Sequence, residues 1–380
     1  MKNEFSTSAA LASAFTRFFS EAGSFVGTEK TLHALFYYHL LGCGFLPKSI
    51  GREFRLASGP VDVVLFDHQA TTANQRLAES ASVAIEFKGG AYNTRNALFD
   101  TIDAQGHCPD LDKMLPFLVR GVSCWFVAVD MAPLGVALSD GDRMRVFEQC
   151  QKRGMGFAYV CSNEPFFLFA PPRERLQKIV RNATLPSGRE AGGLADDTSS
   201  VWADFSSQVA AVNGSEDDYC SLLYSTLRSA GTSASQVSLE TYFGFAGTGK
   251  GMQLRPDLTL FQPGVAGRFN LYEGGDQRRS NDNHKLAHLA AIFEVKGSHS
   301  LFKKRDATLA EIYSEDIEKL GRWGDLIHRT AKSKGLTVAD PARVFVAIDR
   351  RPRPLDEAIQ AMLRARAKAV GVSLRYFHAA

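Results

Sequence analysis

Several features that mark specialised proteins are absent from this sequence of 380 residues. Its six cysteines form no CxxC pair, so we expect neither thiolate metal sites nor a disulfide framework, but buried free thiols in a reducing cytoplasm. No apolar run approaches the roughly 18–20 residues of a membrane span, and the N-terminus lacks a signal peptide's continuous apolar core. The sequence therefore predicts a cytoplasmic protein without a membrane partner.

An excess of one charge sign is also absent. The chain carries 44 Lys plus Arg against 41 Asp plus Glu, a formal net charge of +3, and neither half forms a basic arm or an acidic tail. Hydrophobic residues make up 45% of the chain, which is typical of globular proteins. Composition thus excludes a mainly disordered, collagenous or coiled-coil chain, and charge alone gives no argument for nucleic acid.

A long internal repeat organises the sequence. TEKTLHALFYYHLLGCG begins at Thr28 and SEDDYCSLLYSTLRSAG begins at Ser215. Each opens with a helix N-cap signature and ends in a glycine, as helix C-termini often do. The Phe-rich segment ahead of the first copy (residues 1–27) predicts an amphipathic helix that docks on its own domain, with a membrane-surface helix as the alternative. VWADFSSQVAAV, ahead of the second copy, matches it.

Charged residues recur in the same order in both copies. After the helix acid come a strand glutamate, a strand aspartate, a Glu-x-Lys at the end of an apolar strand, and an Asp-x-x-Lys helix. In copy one these residues are Glu29, Glu53, Asp62, Glu86, Lys88, Asp110 and Lys113. In copy two they are Glu216, Glu240, Asp257, Glu294, Lys296, Asp316 and Lys319. The repeat predicts two α/β domains, 28–162 and 214–380, joined by a linker at 163–213.

The repeated residue types suit a hard divalent cation. Side chains alternate along a strand, so Asp62, Glu86 and Lys88 can meet at one edge of a sheet. Two adjacent carboxylates repel each other unless a cation lies between them, and Mg²⁺ or Mn²⁺ prefers oxygen ligands. The lysine could then orient or deprotonate a water and offset charge on a phosphate. The glycines that follow, Gly89 and Gly297, would let a substrate backbone approach.

Asp62…Glu86-x-Lys88 and Asp257…Glu294-x-Lys296 resemble the PD-(D/E)xK nuclease superfamily, in two tandem copies. The resemblance implies restriction-endonuclease-like domains, each a mixed central sheet flanked by helices. It implies that the motif aspartates and glutamates bind metal, that the motif lysines are catalytic, and that Glu29 and Glu216 act beside them. Glu53, Glu240 and the two Asp-x-x-Lys pairs are expected to support the site.

The function implied is a metal-dependent DNA endonuclease, with a monomer whose two sites act as an internal pseudo-dimer in restriction or anti-phage defence. Basic residues near the second motif are expected to grip the nucleic-acid backbone: Lys303, Lys304, Arg305, Arg350 and Arg351. A catalytically silent module that binds nucleic acid, a nucleotide signal or a partner protein is the alternative. RNA as substrate, activity at only one site, and a regulatory partner are left open.

Overall fold

The computed structural model describes residues 2–23, 27–67, 78–89, 108–130, 138–161, 164–169, 198–212, 214–244, 254–265, 282–297 and 301–379. They form two compact units, Met1–Ser187 (unit 1) and Gly188–Ala380 (unit 2). Each unit contains its own mixed sheet with helices, which confirms the α/β class expected from the repeat. No helix within these ranges is long and apolar enough to cross a membrane.

Unit 1 contains a six-stranded sheet in the order β1-β2-β3-β4-β5-β6. The first three strands pair antiparallel, β3, β4 and β5 are parallel, and β6 is antiparallel to β5. Strands β3 and β4 are largely buried along their length, as expected for parallel strands with both faces covered. The elements are α1 (Lys2–Ala22), α2 (Glu29–Gly42), β1 (Ile50–Leu56), β2 (Gly59–Phe66), β3 (Ala81–Gly89), α3 (Pro109–Asp112), α4 (Leu115–Val119), β4 (Ser123–Asp130), α5 (Asp140–Arg153), β5 (Gly156–Cys161) and β6 (Glu164–Phe169).

Unit 2 repeats this arrangement with five strands in the order β11-β10-β9-β8-β7. Strands β7, β8 and β9 pair antiparallel, and β9, β10 and β11 pair parallel, so they correspond to β1–β5. The elements are α6 (Thr198–Val209), α7 (Glu216–Ser229), β7 (Val237–Leu239), β8 (Leu258–Phe261), α8 (Asp282–His288), β9 (Leu289–Lys296), α9 (Asp306–Ser333), β10 (Ala342–Asp349), α10 (Glu357–Ala369) and β11 (Ser373–His378).

The helix caps follow the sequence signatures. The Thr28 hydroxyl accepts from the backbone of Thr31, and Ser215 forms a reciprocal capping box with Asp218. Both helices are followed by a glycine with positive φ. These caps fix where α2 and α7 begin, and therefore where the acid at the first position of each helix lies.

Each acid-bearing helix is preceded by a helix that supplies aromatic side chains to the core. In unit 1 the Phe15 ring lies 5.0 Å from that of Phe36 and 5.1 Å from that of Trp125. In unit 2, Trp202 and Phe205 of α6 pack on Phe377. A helix therefore precedes the acid-bearing helix in each unit, and its aromatic side chains pack within that unit.

The linker differs from the sequence prediction. Its expected range, 163–213, contains β6 and α6 among its described residues, and 170–197 lies outside them. β6 pairs with β5 and so covers what would be an open sheet edge, while α6 packs on α7. Regular structure therefore occupies both ends of the expected linker.

Candidate functional site

The motif aspartate and glutamate of unit 1 lie on neighbouring antiparallel strands. Val63 of β2 pairs with Ile85 of β3, and this register places Asp62 opposite Glu86. Directly opposed residues have Cβ atoms about 4.5–5.5 Å apart. Asp62 is only 7% exposed and Glu86 only 1%, so two carboxylates share a small volume from which water is largely excluded.

Each of these carboxylates has a fixed partner. The backbone N–H of Phe87 donates to Asp62 Oδ2 at 2.7 Å, which orients the aspartate from the next strand. Lys113 Nζ lies 2.5 Å from Glu86 Oε1. The other oxygen, Oε2, is buried and accepts no hydrogen bond from any residue that the structure describes. A buried carboxylate oxygen without a partner costs free energy. A cation or a hydrogen-bond donor at Glu86 Oε2 would remove that cost.

The motif lysine joins the helix acid to the Asp-x-x-Lys pair. Lys88 Nζ lies 3.0 Å from Asp110 Oδ2 and 4.0 Å from Glu29 Oε1, and the backbone N–H of Gly89 donates to Glu29 Oε2 at 3.2 Å. Lys113 also reaches Asp110, at 3.5 Å. The six charged residues, hereafter the unit 1 network, are Glu29, Asp62, Glu86, Lys88, Asp110 and Lys113.

Unit 2 contains the same network with the same connections. Val295 N–H donates to Asp257 Oδ2 at 2.7 Å, and Lys319 Nζ lies 2.7 Å from Glu294 Oε2. Lys296 Nζ lies 3.1 Å from Glu216 Oε2 and 3.8 Å from Asp316 Oδ2, while Lys319 reaches Asp316 at 3.2 Å. These residues, Glu216, Asp257, Glu294, Lys296, Asp316 and Lys319, are the unit 2 network. The sequence prediction that each copy brings its own set together is therefore met in both units.

Burial raises the pKa values of the helix acid, the motif aspartate and the motif glutamate in each network. It raises the pKa of Asp62 to about 6 and that of Glu29 to about 7, although hydrogen bonds and nearby lysines act in the opposite direction. The pKa values of Glu86 and Asp257 rise well above their ordinary range, through burial and the facing carboxylate. Without an added cation, the ionised form of the facing carboxylates is therefore unfavourable in both sites.

The motif lysines respond in the opposite way. Burial lowers the pKa of Lys88, but the charges of Glu29 and Asp110 outweigh it and leave the pKa above its ordinary value. The same balance raises the pKa of Lys296, through Glu216 and Asp316. Both lysines are therefore ammonium groups at neutral pH. This favours orientation and charge compensation over the removal of a proton from water.

The donor set fits a hard divalent cation. Asp62 and Glu86 provide oxygen ligands, one of them an unpaired buried oxygen, and their shared burial disfavours two negative charges without a cation. Atoms of Glu29, His33 and Asp62 that could ligate metal also lie within 4.8 Å of one another. Glu86 is not part of that cluster, and its Oε1 lies against Lys113.

Sequence reasoning missed two buried residues beside Asp62. His33 and Arg52 are each 1% exposed. Arg52 Nη2 lies 3.0 Å from His33 Nδ1, and His33 Nε2 lies 3.6 Å from Asp62 Oδ2. A signal for His33 was present, because it follows Glu29 by four residues and so lies on the same helix face. Nothing in the local sequence pointed to Arg52.

Glu53 of β1 and Glu240, which directly follows β7, share an unusual backbone conformation. Glu53 has φ 49° and Glu240 has φ 48°, a left-handed region that non-glycine residues seldom adopt. Glu53 forms an ion pair with Lys30 and Glu240 one with Arg255. Strained residues of this kind cluster at functional sites. Their repetition next to the motif aspartates keeps the expectation of a supporting role.

The glycines after the motif lysines have a different role from the one expected. A Cβ on Gly89 would lie 2.8 Å from Leu32 Cδ1 and 2.8 Å from the Val129 carbonyl oxygen. A Cβ on Gly297 would lie 2.9 Å from Ile348 Cβ. These positions are therefore filled by the protein's own helix and strand, and in unit 1 this packing brings the Gly89 N–H to Glu29.

The expected nucleic-acid contacts divide into two groups. Lys303, Lys304 and Arg305 are exposed just before α9 and remain available to phosphates. Arg351 is 8% exposed, with its guanidinium bonded to Asp349 and Asp306, so its assignment as a backbone contact is wrong. Arg350 donates to the Val212 carbonyl, which leaves it less available than expected. The Arg351 guanidinium is therefore held by two aspartates inside the unit and does not face solvent.

Comparisons with protein-family models, with curated proteins and with solved structures find no match to this chain.

Proposed function

We propose that each unit is a restriction-endonuclease-like domain of the PD-(D/E)xK type, and that the chain is a metal-dependent DNA endonuclease with two active sites. The supporting observation is that one network of four acids and two lysines occurs in both units with the same connections. A single acid-x-lysine on a strand is common on protein surfaces. Two partly buried copies with matching partners are hard to explain by folding alone, because burying charged groups costs free energy even when they are paired.

In this proposal Asp62 and Glu86 hold the ion in unit 1, and Asp257 and Glu294 hold it in unit 2. When bound, Mg²⁺ or Mn²⁺ would polarise the phosphate and lower the pKa of a coordinated water. Lys88 and Lys296 stay protonated beside the ligands and would stabilise negative charge that develops on the phosphate. Glu29 and Glu216 orient these lysines from the first turn of their helices.

The test is cleavage of supercoiled plasmid with Mg²⁺. We expect the wild type to linearise it, and the double variant Lys88→Ala/Lys296→Ala to leave it intact. If the two sites act as a pseudo-dimer, each single variant converts linearisation into nicking. Lys332→Ala, an exposed lysine outside both networks, is the matched control. Equal cutting by the wild type and the double variant would refute the proposal.

A role in anti-phage defence is part of the same proposal. Two cutting sites in one chain suit double-strand cleavage of invading DNA. Cells that express the wild type should reduce phage plating relative to cells that express Lys88→Ala/Lys296→Ala at equal protein level. Equal plating would remove the defence role without affecting the nuclease proposal.

A second candidate is a catalytically silent module that binds nucleic acid, a nucleotide signal or a partner protein. One observation favours it: Lys113 and Lys319 already place an ammonium group on the motif glutamates. These lysines could replace a metal ion as the permanent counter-charge. Calorimetry with Mn²⁺ separates the two functions, since the nuclease should bind metal at two sites per chain and the silent module at none.

A further inference from the structure

The buried pair of His33 and Arg52 restricts what His33 can do. Arg52 Nη2 lies within hydrogen-bond distance of His33 Nδ1, at 3.0 Å. A guanidinium has donors and no acceptor, so Nδ1 must accept this hydrogen bond with its lone pair. An imidazole whose Nδ1 carries no proton is neutral and holds its proton on Nε2. The contact with Arg52 therefore selects the Nε2–H tautomer.

This tautomer directs a donor at the motif aspartate. Within the described part of the chain, His33 Nε2 accepts and donates no hydrogen bond at normal distance, and it lies 3.6 Å from Asp62 Oδ2. The separation exceeds an ordinary hydrogen bond. Contacts of this kind are often long in the free protein and shorten when a ligand binds. A protonated Nε2 has no lone pair in the ring plane, so it cannot bind a cation.

We propose that His33 is a positioning residue of unit 1, which holds Asp62 through an Nε2–H whose tautomer Arg52 fixes, and is not a metal ligand. This inference rests on the proposed function for the role of Asp62. It also explains how Glu29, His33 and Asp62 come close together without forming a three-ligand site. The ligands would then be the carboxylates, with His33 behind one of them.

The two sites differ at this point. The offset of 187 residues that relates Glu29 to Glu216 places Cys220 at the position of His33 and Leu239 at that of Arg52. Unit 2 therefore has neither the imidazole donor nor the cation that fixes it. Asp257 keeps the hydrogen bond from Val295, the counterpart of Phe87. The pair is thus specific to unit 1, and unit 2 provides an internal reference.

The tautomer can be measured directly. In ¹⁵N-labelled protein, long-range proton–nitrogen spectra distinguish Nε2–H from Nδ1–H imidazoles, and the His33→Gln variant identifies the signal of His33 among the nine histidines. We expect Nε2–H in the metal-free protein and the same tautomer after addition of Mg²⁺. A proton on Nδ1, or loss of the Nε2 proton when Mg²⁺ is added, would overturn the inference.

Metal affinity then separates positioning from ligation. The measurements use Mg²⁺ and the Asp257→Asn background, which silences unit 2. Glutamine has an oxygen that can accept from Arg52 and an amide N–H that can donate to Asp62, whereas leucine has neither. We expect His33→Gln to keep the Mg²⁺ affinity within about threefold and His33→Leu to lower it about tenfold or more, the usual effect of losing a residue behind a ligand.

Each other outcome has a definite meaning. Equal losses in the Gln and Leu variants would show that His33 ligates the ion, and unchanged affinity in both would show a purely structural role. Either result overturns the inference. Absence of Mg²⁺ binding by the wild-type chain would instead contradict the proposed function, and the tautomer measurement would still decide whether Arg52 fixes His33.

Discussion

Replacing Asp62 with asparagine should stabilise unit 1 in the absence of metal. The carboxamide keeps an oxygen that can accept from the Phe87 N–H, but it removes the charge that faces Glu86. Burial raises the pKa of Asp62 from 3.8 to about 6. Such a shift corresponds to about 3 kcal/mol of destabilisation of the folded state when the carboxyl is fully ionised.

The pH dependence has a definite sign. Because the folded-state pKa is the higher one, the folded protein binds the proton more tightly, and the destabilisation develops as pH rises from 3.8 to about 6. Below that range Asp62 is protonated in both states and contributes nothing. The gain from Asp62→Asn should therefore be about 3 kcal/mol at pH 8 and about half of that at pH 5.

The assay is urea unfolding in EDTA, followed by tryptophan fluorescence. The chain has three tryptophans, so Trp202→Phe and Trp323→Phe leave Trp125 as the reporter of unit 1. Asp110→Asn is the matched control, since Lys88 and Lys113 outweigh burial and lower the Asp110 pKa, so its loss should destabilise. The reasoning would be refuted if Asp62→Asn were no more stable than the wild type at pH 8. It would also be refuted if Asp62→Asn and Asp110→Asn changed the free energy of unfolding in the same direction.

The remaining predictions concern packing, charge and strain. Gly89→Ala should destabilise unit 1 and weaken metal binding, as thermal unfolding with and without Mn²⁺ would show, because its Cβ would meet the Val129 backbone oxygen at 2.8 Å. Arg351→Ala should lower the unfolding temperature through the loss of its buried ion pairs. Lys303→Ala/Lys304→Ala should leave that temperature unchanged and reduce the salt dependence of DNA binding by about two units of slope. Glu53→Gly should relieve about 1 kcal/mol of backbone strain, measurable as a rise in the urea midpoint, unless loss of the Lys30 pair offsets it.

Strand alternation was sufficient to predict that Asp62, Glu86 and Lys88 can lie at one sheet edge, whereas Glu29 and Glu216 were assigned through the resemblance to the nuclease superfamily. Asp62 and Glu86 face each other once β2 and β3 pair in the register that buries their apolar residues. The helix acid follows from the cap at Thr28, which fixes the first turn of α2. These steps need only strand alternation and a helix cap, and both can be predicted from the sequence.

Features that depend on tertiary packing were beyond that reasoning. Whether Arg52 turns inward to His33 or outward to solvent depends on how β1 packs against α2, and no local pattern decides it. Arg351 was misassigned for the same reason, since one of its carboxylates, Asp306, lies 45 residues away in sequence. Gly89 was predicted to let a substrate approach, but the Leu32 side chain fills that space. Leu32 belongs to α2, so the sequence around Gly89 gives no sign of this contact.

The charge of the networks connects the fold to the proposed chemistry. When ionised, the four acids and two lysines of each network leave a net charge of −2, which is the charge that one divalent ion neutralises. Ion pairs that merely stabilised the fold would be expected to balance without an added cation, since unpaired buried charge is costly. In unit 1 a further buried cation, Arg52, lies 3.0 Å from the His33 ring, which in turn faces Asp62. Leu239 stands at the corresponding position of unit 2. The two sites can therefore share one chemistry and still differ in metal affinity.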